Sequence, residues 1–528
     1  MRHQGGFLRP IRGSRFAYVF TTAMGMLLSS VSLSSSPLEL LWERTYDGPS
    51  AANDYAYDVA VDSSGNVIAV GSQYVSSQGH CWLVRKYDGL GNLIWSRTFT
   101  NTGTSQSAAQ GVAVFPGGDI VVAGYVTVGS EGRNWLVEKY DSGGALLWSR
   151  THNGPANYVD IATDVAVGGN GDAVVAGLEM DPVFIPEISR GRCLLRKYDG
   201  NGDLLWSRTN NKACSYAAPT DVAMDTSGNV IVSGSFSNGF MMTGWLVEKY
   251  DRDGGYLWGK DTGVFIGGAT DTASAVVTDY GGNVAVARIT GMCQPGPLGG
   301  YICWGGTSLL FYDPGGNELW STSFNNKSEG GYDAGQALAV DRSGNILLAG
   351  NRTVGPDGRV NWFFRKHDAA GNLLMDETFA GPAGMGDFAY GVAIDRTGNI
   401  VAAGYEQQQS QTVTANWLIR KLREPMPTSA GTPSPELIVY PNPVGGDSFT
   451  VEILNLDGDV DKLEVRLFDV AFRLVYKASW RSVTRTAPRV TVEGMRRVAP
   501  GIYLLRAKAW MANGSEIKFQ VVKVAIKR

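Results

Sequence analysis

The sequence predicts an all-β protein built from repeated four-stranded units, and three observations lead to this prediction. A stretch first seen at 58–98 recurs along most of the chain, with steps of 53, 58, 52, 62 and 55 residues. A fixed internal period of this size is typical of repeat folds. The 68 glycines fall mostly in turns, as expected for many short strands. One aromatic position marks the end of each copy, with methionine replacing tryptophan in the sixth: Trp95, Trp148, Trp206, Trp258, Trp320 and Met375.

Each copy predicts four antiparallel strands. In the first copy they cover 58–62, 66–72, 82–88 and 92–98. The first and third connections are short and contain glycine, which is typical of hairpin turns that need a positive φ. The other two connections are long and variable, so we expect a ligand site on the face that carries them.

The last copy lacks its closing segment. It starts at Val392 and reaches Trp417 and Lys421, and then the pattern stops. A matching segment lies at 38–46, where Trp42 precedes Trp95 by 53 residues. We therefore predict that this first strand completes the last unit. The result would be a seven-bladed β-propeller, closed so that no sheet edge is left free.

The repeat motif resembles a known bacterial family. The order DVAVDxxGNVxVxG followed by KYDxxGNxLWSR is similar to the SBBP class of seven-bladed propeller repeats, over roughly residues 38–422. The resemblance implies the propeller architecture and no chemistry. The fifth copy departs most, with Ala287 and Arg288 in the place of Ala-Gly or Ser-Gly and with an insertion at 291–306.

The N-terminus predicts export. Four arginines precede an apolar run at 16–28 and small residues at 29–36, which is the pattern of a secretory signal peptide. The alternative, an uncleaved anchor, requires a longer apolar run, so we expect no transmembrane anchor. The predicted domains are a signal peptide at 1–36, the propeller at 37–422, a linker at 423–436 and a C-terminal β-sandwich at 437–528.

The charge differs between regions. Residues 437–528 carry 15 Lys+Arg and 9 Asp+Glu, which gives a net charge of +6. Residues 37–436 carry 27 Lys+Arg and 41 Asp+Glu, which gives a net charge of −14. Nucleic-acid binding needs clustered Lys and Arg, so we expect no nucleic-acid partner. The expected partner is an extracellular protein or glycan.

The C-terminal region resembles a sorting domain. Short strands are predicted at 448–454, 462–469, 489–492, 501–509 and 517–524, a pattern that suits a small immunoglobulin-like β-sandwich. The motifs YPNP, LFDV, PGIYL and KFQVVK are similar to the type A C-terminal sorting domain of type IX secretion. This resemblance implies recognition by the type IX machinery and attachment at the cell surface. A FlgD-like immunoglobulin domain is the alternative. The residues that carry the sorting motif are Tyr440, Pro441, Asn442, Pro443, Gly501, Tyr503, Lys518 and Lys523.

One set of aspartates has a repeat position of its own. Each lies four residues before the predicted first strand of its copy, so a ring would gather them around one mouth of the channel. Carboxylates in such a collar would bind a cation or polar ligand, which leaves calcium open as a cofactor. The alternative is that each aspartate caps the local turn. The set is Asp54, Asp160, Asp271, Asp333 and Asp387.

The remaining candidates are few. Cys293 and Cys303 flank one insertion and are the best candidates for a disulfide. The segment 199–203 (DGNGD) has oxygen ligands at alternate positions but lies where the other copies have a hairpin turn. The histidines show no metal-ligand spacing, so no metal site is predicted.

The sequence contains no motif of known catalytic chemistry. We therefore expect an exported, non-catalytic binding or scaffold protein at the cell surface, with no catalytic residues and no resident cofactor. The alternative is a secreted propeller enzyme, a hydrolase, lyase or quinoprotein-like protein, with its site on the face of the long loops. The segment DxxGxLLW slightly resembles the tryptophan-docking repeats of quinoprotein propellers.

Overall fold

The structure is a computed structural model. It describes residues 38–526 with internal gaps at 51, 100–105, 186–187, 210–215, 238–242, 263–268, 296–300, 326–331, 355–358, 380–385, 409–413, 425–435, 441–447, 455–459, 470–472, 484–488, 495–497, 500, 512–515 and 519–521. Within this part of the chain, no helix is long and apolar enough to cross a membrane.

Residues 38–423 form repeated four-stranded antiparallel sheets. In chain order the strands are β1 (Glu39–Tyr46), β2 (Tyr55–Val61), β3 (Val67–Val75), β4 (Gly79–Tyr87), β5 (Leu93–Phe99), β6 (Ala108–Val114), β7 (Ile120–Thr127), β8 (Arg133–Tyr140), β9 (Leu146–His152), β10 (Asp160–Val167), β11 (Ala173–Ile185), β12 (Ile188–Tyr198), β13 (Leu204–Thr209), β14 (Tyr216–Met224), β15 (Val230–Ser237), β16 (Thr243–Tyr250), β17 (Tyr256–Asp261), β18 (Ala269–Thr278), β19 (Val284–Pro295), β20 (Tyr301–Tyr312), β21 (Glu318–Phe324), β22 (Asp333–Val340), β23 (Ile346–Val354), β24 (Arg359–His367), β25 (Leu373–Phe379), β26 (Asp387–Ile394), β27 (Ile400–Gln408) and β28 (Thr414–Arg423). One short 3-10 helix, Gly129–Glu131, lies between β7 and β8.

The sheets follow the repeats of the sequence. They comprise β2–β5, β6–β9, β10–β13, β14–β17, β18–β21 and β22–β25, and a sheet in the order β1-β28-β27-β26. The third and fourth of these are linked by a single parallel residue pair, Gly191 with Tyr216. The first strands of successive repeats contact one another in the order β2, β6, β10, β14, β18, β22 and β26, and β26 contacts β2 again. This cyclic order is that of a β-propeller-like fold.

Near-continuous apolar strands form the core because both faces of each sheet pack on a neighbour. One hydrophobic cluster, for example, joins Val70 and Trp82 of the first repeat to Val112 and Val122 of the second. Trp82 and Val122 are fully buried. The cores therefore lie between sheets, and each repeat depends on the next for its stability.

The aspartate, lysine and tryptophan that recur in the motif form a contact between successive repeats. In the first copy, Lys86 forms a buried ion pair with Asp62 at 3.0 Å. Its Nζ also donates to the carbonyl of Ser142 in the next repeat at 3.0 Å, and Trp95 Nε1 donates to the same oxygen at 3.3 Å. Gly144 completes the contact, because a Cβ at this position would lie 2.8 Å from the Trp95 ring. Lys139 and Trp148 likewise share the Gly200 carbonyl, so these motif residues act in packing.

The N-terminal strand β1 completes the sheet of the last repeat, as the sequence predicts. It pairs antiparallel with β28, and Glu43 lies opposite Arg420. Arg420 Nε contacts Glu43 Oε2 at 2.7 Å. Trp42 Nε1 donates to the Gly89 carbonyl of the first repeat at 3.1 Å, in the same role that Trp95 has one repeat later.

The C-terminal region forms two further sheets. Their strands are β29 (Glu436–Tyr440), β30 (Ser448–Leu454), β31 (Val460–Phe468), β32 (Leu474–Val483), β33 (Arg489–Glu493), β34 (Gly501–Met511), β35 (Glu516–Lys518) and β36 (Val522–Ile526). One sheet has the order β29-β30-β33, and the other has the order β32-β31-β34-β35 with β36 also on β34. Phe449 and Val451 of the first sheet and Val465 and Leu505 of the second belong to one hydrophobic cluster.

Candidate functional site

The first strand of every repeat contains a β-bulge. One residue in each has no partner in the register with the second strand, so the strand bends and the side chain is redirected. All these residues are polar, and all line a single cavity of about 840 Å³. This cavity is the central channel. The bulge residues are Tyr57, Gln110, Thr163, Thr220, Ser274, Gln336 and Tyr390.

The position after the bulge is aspartate in three repeats: Asp58, Asp164 and Asp221. Each of these carboxylates accepts a hydrogen bond from a backbone N–H of the next repeat. Val112 donates to Asp58 at 2.8 Å, Val222 to Asp164 at 3.0 Å and Val276 to Asp221 at 2.8 Å. The aspartates therefore tie adjacent first strands together while they line the cavity.

These carboxyl groups are surrounded by protein. Burial raises the pKa of Asp58 to about 7, with repulsion from Asp221 as a further cause. Burial and the nearby Asp221 carboxyl raise the pKa of Asp164 well above its usual range, and burial also raises that of Asp221. Asp164 and Asp221 are hydrogen-bonded to each other through their side chains. Such a pair shares a proton when like charges lie close together.

The described residues that line the channel include no lysine, arginine or histidine. Among these described lining residues, the three aspartates are thus the only groups that can carry a charge near neutral pH. A cavity of this kind offers many hydrogen-bond acceptors, together with the hydroxyl and amide donors of the bulge residues. It can bind a ligand that donates several hydrogen bonds.

Aromatic rings form one wall of the channel, where the first and last repeats meet. Tyr57 and Tyr390 both line the cavity, and their ring centroids lie 6.1 Å apart. Behind them, Tyr405 contacts Tyr390 at 5.8 Å and Tyr55 at 5.1 Å. The side chains on this wall of the channel are therefore flat and partly apolar.

The predicted aspartate collar does not line this cavity. The first strands of these repeats begin three to six residues earlier than the pattern predicts. Asp54 therefore immediately precedes its strand, the other four aspartates lie at or inside the strand starts, and all five are buried. Asp54 accepts hydrogen bonds from the backbone N–H groups of Gly48 and Tyr74. Asp271 pairs with Arg288 at 2.7 Å and Asp333 with Arg352 at 3.1 Å. Asp160 is bonded to Gly154, and Asp387 begins β26. These contacts fit the local alternative better than a shared collar.

The other sequence candidates fall in different places. The segment 199–203 is a hairpin turn in which Asn201 and Asp203 N–H groups donate to Asp199 Oδ1, which fits the turn alternative. Cys293 and Cys303 are opposite each other in the backbone register of β19 and β20. Their side chains lie outside the described part, so the disulfide stays a prediction.

The sorting motif is described only in part. Tyr440 ends β29, Gly501 begins β34, and Tyr503 donates a hydrogen bond to the Ala499 carbonyl at 2.7 Å. The backbones of Lys518 and Lys523 lie in β35 and β36. Pro441, Asn442 and Pro443 lie outside the described residues, and the role of the motif in sorting stays a prediction.

Comparison with known proteins gives structural matches alone. No family model matches the sequence, so neither resemblance is confirmed, and no curated protein matches it. One structural match is the β-propeller domain of the Trilobed protease from Pyrococcus furiosus, at 9% identity and a TM-score of 0.38, covering 72% of this chain and 98% of that one. Another is an acylaminoacyl peptidase of Pyrococcus horikoshii, at 9% identity and a TM-score of 0.40. This match covers 76% of this chain and 58% of the peptidase.

A third match is a protein provisionally assigned as a gluconolactonase, at 13% identity and a TM-score of 0.31, covering 73% of this chain and 93% of that one. These matches correct the prediction that the chain is not an enzyme, because they include an acylaminoacyl peptidase and the protein provisionally assigned as a gluconolactonase. The absence of a known motif was therefore a wrong basis for excluding catalysis. At these identities and TM-scores, the matches do not establish catalysis for this chain.

Proposed function

We propose that the chain is an exported protein whose seven-bladed propeller binds a small saccharide in its central channel. The observation that carries the proposal is the lining of the cavity, which combines three carboxyl groups with hydroxyls, amides and tyrosine rings. The seven sets of four strands and their cyclic contacts support the number of blades.

The chemistry of the lining favours a donor-rich ligand. Sugar hydroxyls can donate to Asp58, Asp164 and Asp221 and accept from the amides of Gln110 and Gln336. The faces of Tyr57 and Tyr390 supply flat surfaces for the apolar side of a sugar ring. The cavity volume of about 840 Å³ lies within the range of ordinary ligand sites.

A glycan array with the exported form of the chain identifies the ligand, and titration calorimetry then measures its affinity. We expect Asp164→Asn and Asp221→Asn to weaken binding at least tenfold, since each replaces an acceptor oxygen by a donor. Asp88→Asn is the control, because Asp88 caps an exposed turn in the first repeat. Equal binding by all three variants would refute the channel as the site. Binding of amines in preference to sugars would refute the proposed ligand class.

Hydrolysis of the bound saccharide is a second candidate function. It is favoured by the raised pKa values of Asp58 and Asp164, since a carboxyl group that keeps its proton near neutral pH can act as a general acid. Mass spectrometry of array ligands after incubation tests it. Cleavage products that form with the wild type and not with Asp164→Asn would support hydrolysis. Ligands that stay intact with the wild type would show that the chain binds the saccharide without cleaving it.

Export and surface attachment form the remaining part of the proposal. The two C-terminal sheets with a shared core support a β-sandwich. The motif that resembles a type IX sorting domain supports a role of this β-sandwich in export and surface attachment. A reporter fused to residues 437–528 should reach the surface in cells with an active type IX system. Retention in the periplasm of such cells would contradict the sorting role.

A further inference from the structure

A second cavity lies between the fifth and sixth repeats. Its volume is about 380 Å³, and it shares no lining residue with the channel. Three of its lining residues lie where long connections begin: Phe324 ends β21, Asn325 follows it, and Val354 ends β23. The cavity is therefore on the face where the sequence predicts a ligand site, and it is independent of the proposed saccharide site.

The lining of this cavity contains two arginines and two aspartates. Arg352 pairs with both oxygens of Asp333, since Nε donates to Oδ1 at 3.1 Å and Nη2 donates to Oδ2 at 3.1 Å. Asp376 lies between the two guanidinium groups, with Oδ1 at 3.0 Å from Arg352 Nη2 and Oδ2 at 2.6 Å from Arg365 Nη1. The four side chains form one network with two positive and two negative charges.

The sixth repeat combines these four residues at positions where other repeats have different ones. At the register position of Arg352, four other repeats have residues that are not cations: Glu179, Phe236, Thr290 and Glu406. At the register position of Asp376, four repeats have the serine of the motif: Ser96, Ser149, Ser207 and Ser321. The packing that the repeats share therefore does not require this network.

Three contacts hold the Arg365 guanidinium in place. Its Cζ lies 4.3 Å from the centroid of the Phe324 ring, and its Nη1 donates to Asp376 Oδ2. Its Nε donates to His367 Nε2 at 3.2 Å. That nitrogen can accept, because burial lowers the pKa of His367 and its Nδ1 donates to the Gly371 carbonyl at 3.1 Å. A ligand would thus meet a guanidinium that is already oriented.

Arg365 has more hydrogen-bond donors than the protein has acceptors for it. A guanidinium carries five N–H groups, and Arg365 uses one on Nε and one on Nη1. Its Nη2 has no acceptor among the described residues. Arg352, in contrast, also donates from Nη1 to Thr378 Oγ1 at 3.0 Å and so uses all three of its nitrogens. The unused N–H groups of Arg365 call for a ligand that accepts hydrogen bonds.

We propose that this cavity binds a small molecule by its carboxylate group, with Arg365 as the main contact. A carboxylate presents two coplanar oxygens, which match the fork of a guanidinium. A phosphate dianion fits less well, since Asp376 would repel its second charge. The volume of about 380 Å³ is near the lower end for ligand sites, so it suits a molecule the size of a sugar acid or an amino-acid derivative.

Titration calorimetry on the full chain tests the proposal with two acids, glucuronate and N-acetylglycine, and with the uncharged amide of each. We expect at least one acid to bind and its amide to bind about tenfold more weakly or less, because the amide lacks the charge. The acid that binds distinguishes a sugar acid from an amino-acid derivative. In Arg365→Gln, the dissociation constant of that acid should rise about tenfold or more.

Arg85→Gln is the matched control. Arg85 has the same strand position in the first repeat and stacks on Tyr46 at 4.0 Å, but it faces Ser96 and does not line the cavity. This variant should leave acid binding unchanged. Asn325→Trp is the second test if Arg365→Gln fails to fold, because Asn325 is exposed and an indole there would fill the cavity.

Four results would overturn the proposal. The first is a wild type that binds neither acid, and the second is equal affinity for an acid and its amide. The third is undiminished binding in both Arg365→Gln and Asn325→Trp. The fourth is glucuronate binding that is lost in Asp164→Asn and kept in Arg365→Gln, which would assign the acid to the channel.

Discussion

At the residue scale, the three channel aspartates combine a structural contact between repeats with a place in the lining of the channel. Asp58 accepts from Val59 N–H at 2.7 Å in its own strand and from Val112 N–H at 2.8 Å in the next repeat. These bonds favour the charged form, but burial outweighs them and raises the pKa to about 7. The channel therefore holds proton-binding groups that titrate near neutral pH.

The raised pKa of Asp58 predicts how stability changes with pH. In an unfolded chain an aspartate loses its proton near pH 4, whereas folded Asp58 keeps it up to about pH 7. The folded state thus binds more protons in this window, and the free energy of unfolding falls as pH rises, by up to about 4 kcal/mol. Asp58→Asn should make this fall smaller. Denaturant unfolding at intervals between pH 4 and pH 7.5 measures it.

Asp62 is the control for this experiment. Burial alone would raise its pKa, but hydrogen bonds from Asn66 and Lys86 lower it below the ordinary value. Asp62 therefore stabilises the fold above the unfolded pKa, and this stabilisation is lost as pH falls through the folded pKa. Asp62→Asn should lower stability most at neutral pH. If the free energy of unfolding fell more steeply with rising pH in Asp58→Asn than in the wild type, the raised pKa of Asp58 would be contradicted.

The contact between Gly144 and Trp95 predicts a second effect at this scale. Gly144 and Gly118 both adopt a positive φ, at 85° and 94°. A Cβ on Gly144 would lie 2.8 Å from the Trp95 ring, whereas on Gly118 the nearest atom is 3.6 Å away. In both alanine variants, backbone strain should lower the free energy of unfolding by about 1 to 2 kcal/mol. Overpacking should lower it by about 1 to 3 kcal/mol more in Gly144→Ala, as measured by denaturant unfolding, and equal losses in the two variants would argue against the contact with Trp95.

The sequence could not predict the channel residues because of the bulges. An extra residue in a strand shifts the alternation of inward and outward side chains, so Asp58 and Tyr57 could not be assigned to a face. The one available signal was variation at a repeat position. Asp58, Asp164 and Asp221 align with glycine or alanine in the other four repeats, at Gly111, Ala275, Ala337 and Gly391.

At the element scale, β1 carries the closure of the ring. Arg420 is fully buried and stacks between Trp362 and Phe379 of the preceding repeat, with ring centroids at 4.8 and 4.9 Å. Its carboxylate partner is Glu43 on β1. The strand therefore contributes both a sheet edge and the counter-charge for a buried cation.

Removal of that counter-charge should be costly. Glu43→Ala leaves Arg420 buried without a carboxylate, and we expect a loss of about 3 kcal/mol in the free energy of unfolding. Glu39→Ala is the control, since Glu39 and Arg423 are 60% and 53% exposed and their pair should contribute less than about 1 kcal/mol. Chemical denaturation of both variants measures the difference. Equal losses would indicate that β1 is not held by this pair.

The repeat strands were predictable and some C-terminal strands were not. In each propeller repeat, glycine turns and apolar runs mark the strands, and the predicted pairing of β1 with the last repeat is confirmed. The strand β32 was missed. Its Leu474 and Val475 are 52% and 41% exposed, so the strand lacks the buried alternation that identifies others. The predicted strand at 517–524 is two short strands, β35 and β36, which pair with different parts of β34.

At the scale of the whole molecule, closure brings the first and last repeats together and creates the channel. Gly391 of the last repeat lies against Asp58, where a Cβ would be 2.7 Å from its Cα. Tyr57 and Tyr390 meet across the same junction. The repeated motif residues provide the frame, and the residues that differ between repeats give the channel its chemistry.

Hydrogen exchange of the amides in Glu39–Tyr46 tests most directly whether β1 closes the ring. Because β1 pairs with β28 along its length as the edge strand of the sheet, the alternate amides of β1 that face β28 should exchange slowly, in a single cooperative opening with Thr414–Arg423. Peptides from the two segments, followed by mass spectrometry in the full chain, report both rates. Exchange of Glu39–Tyr46 within seconds, as in an unpaired terminus, while Thr414–Arg423 stays protected would contradict the closed ring.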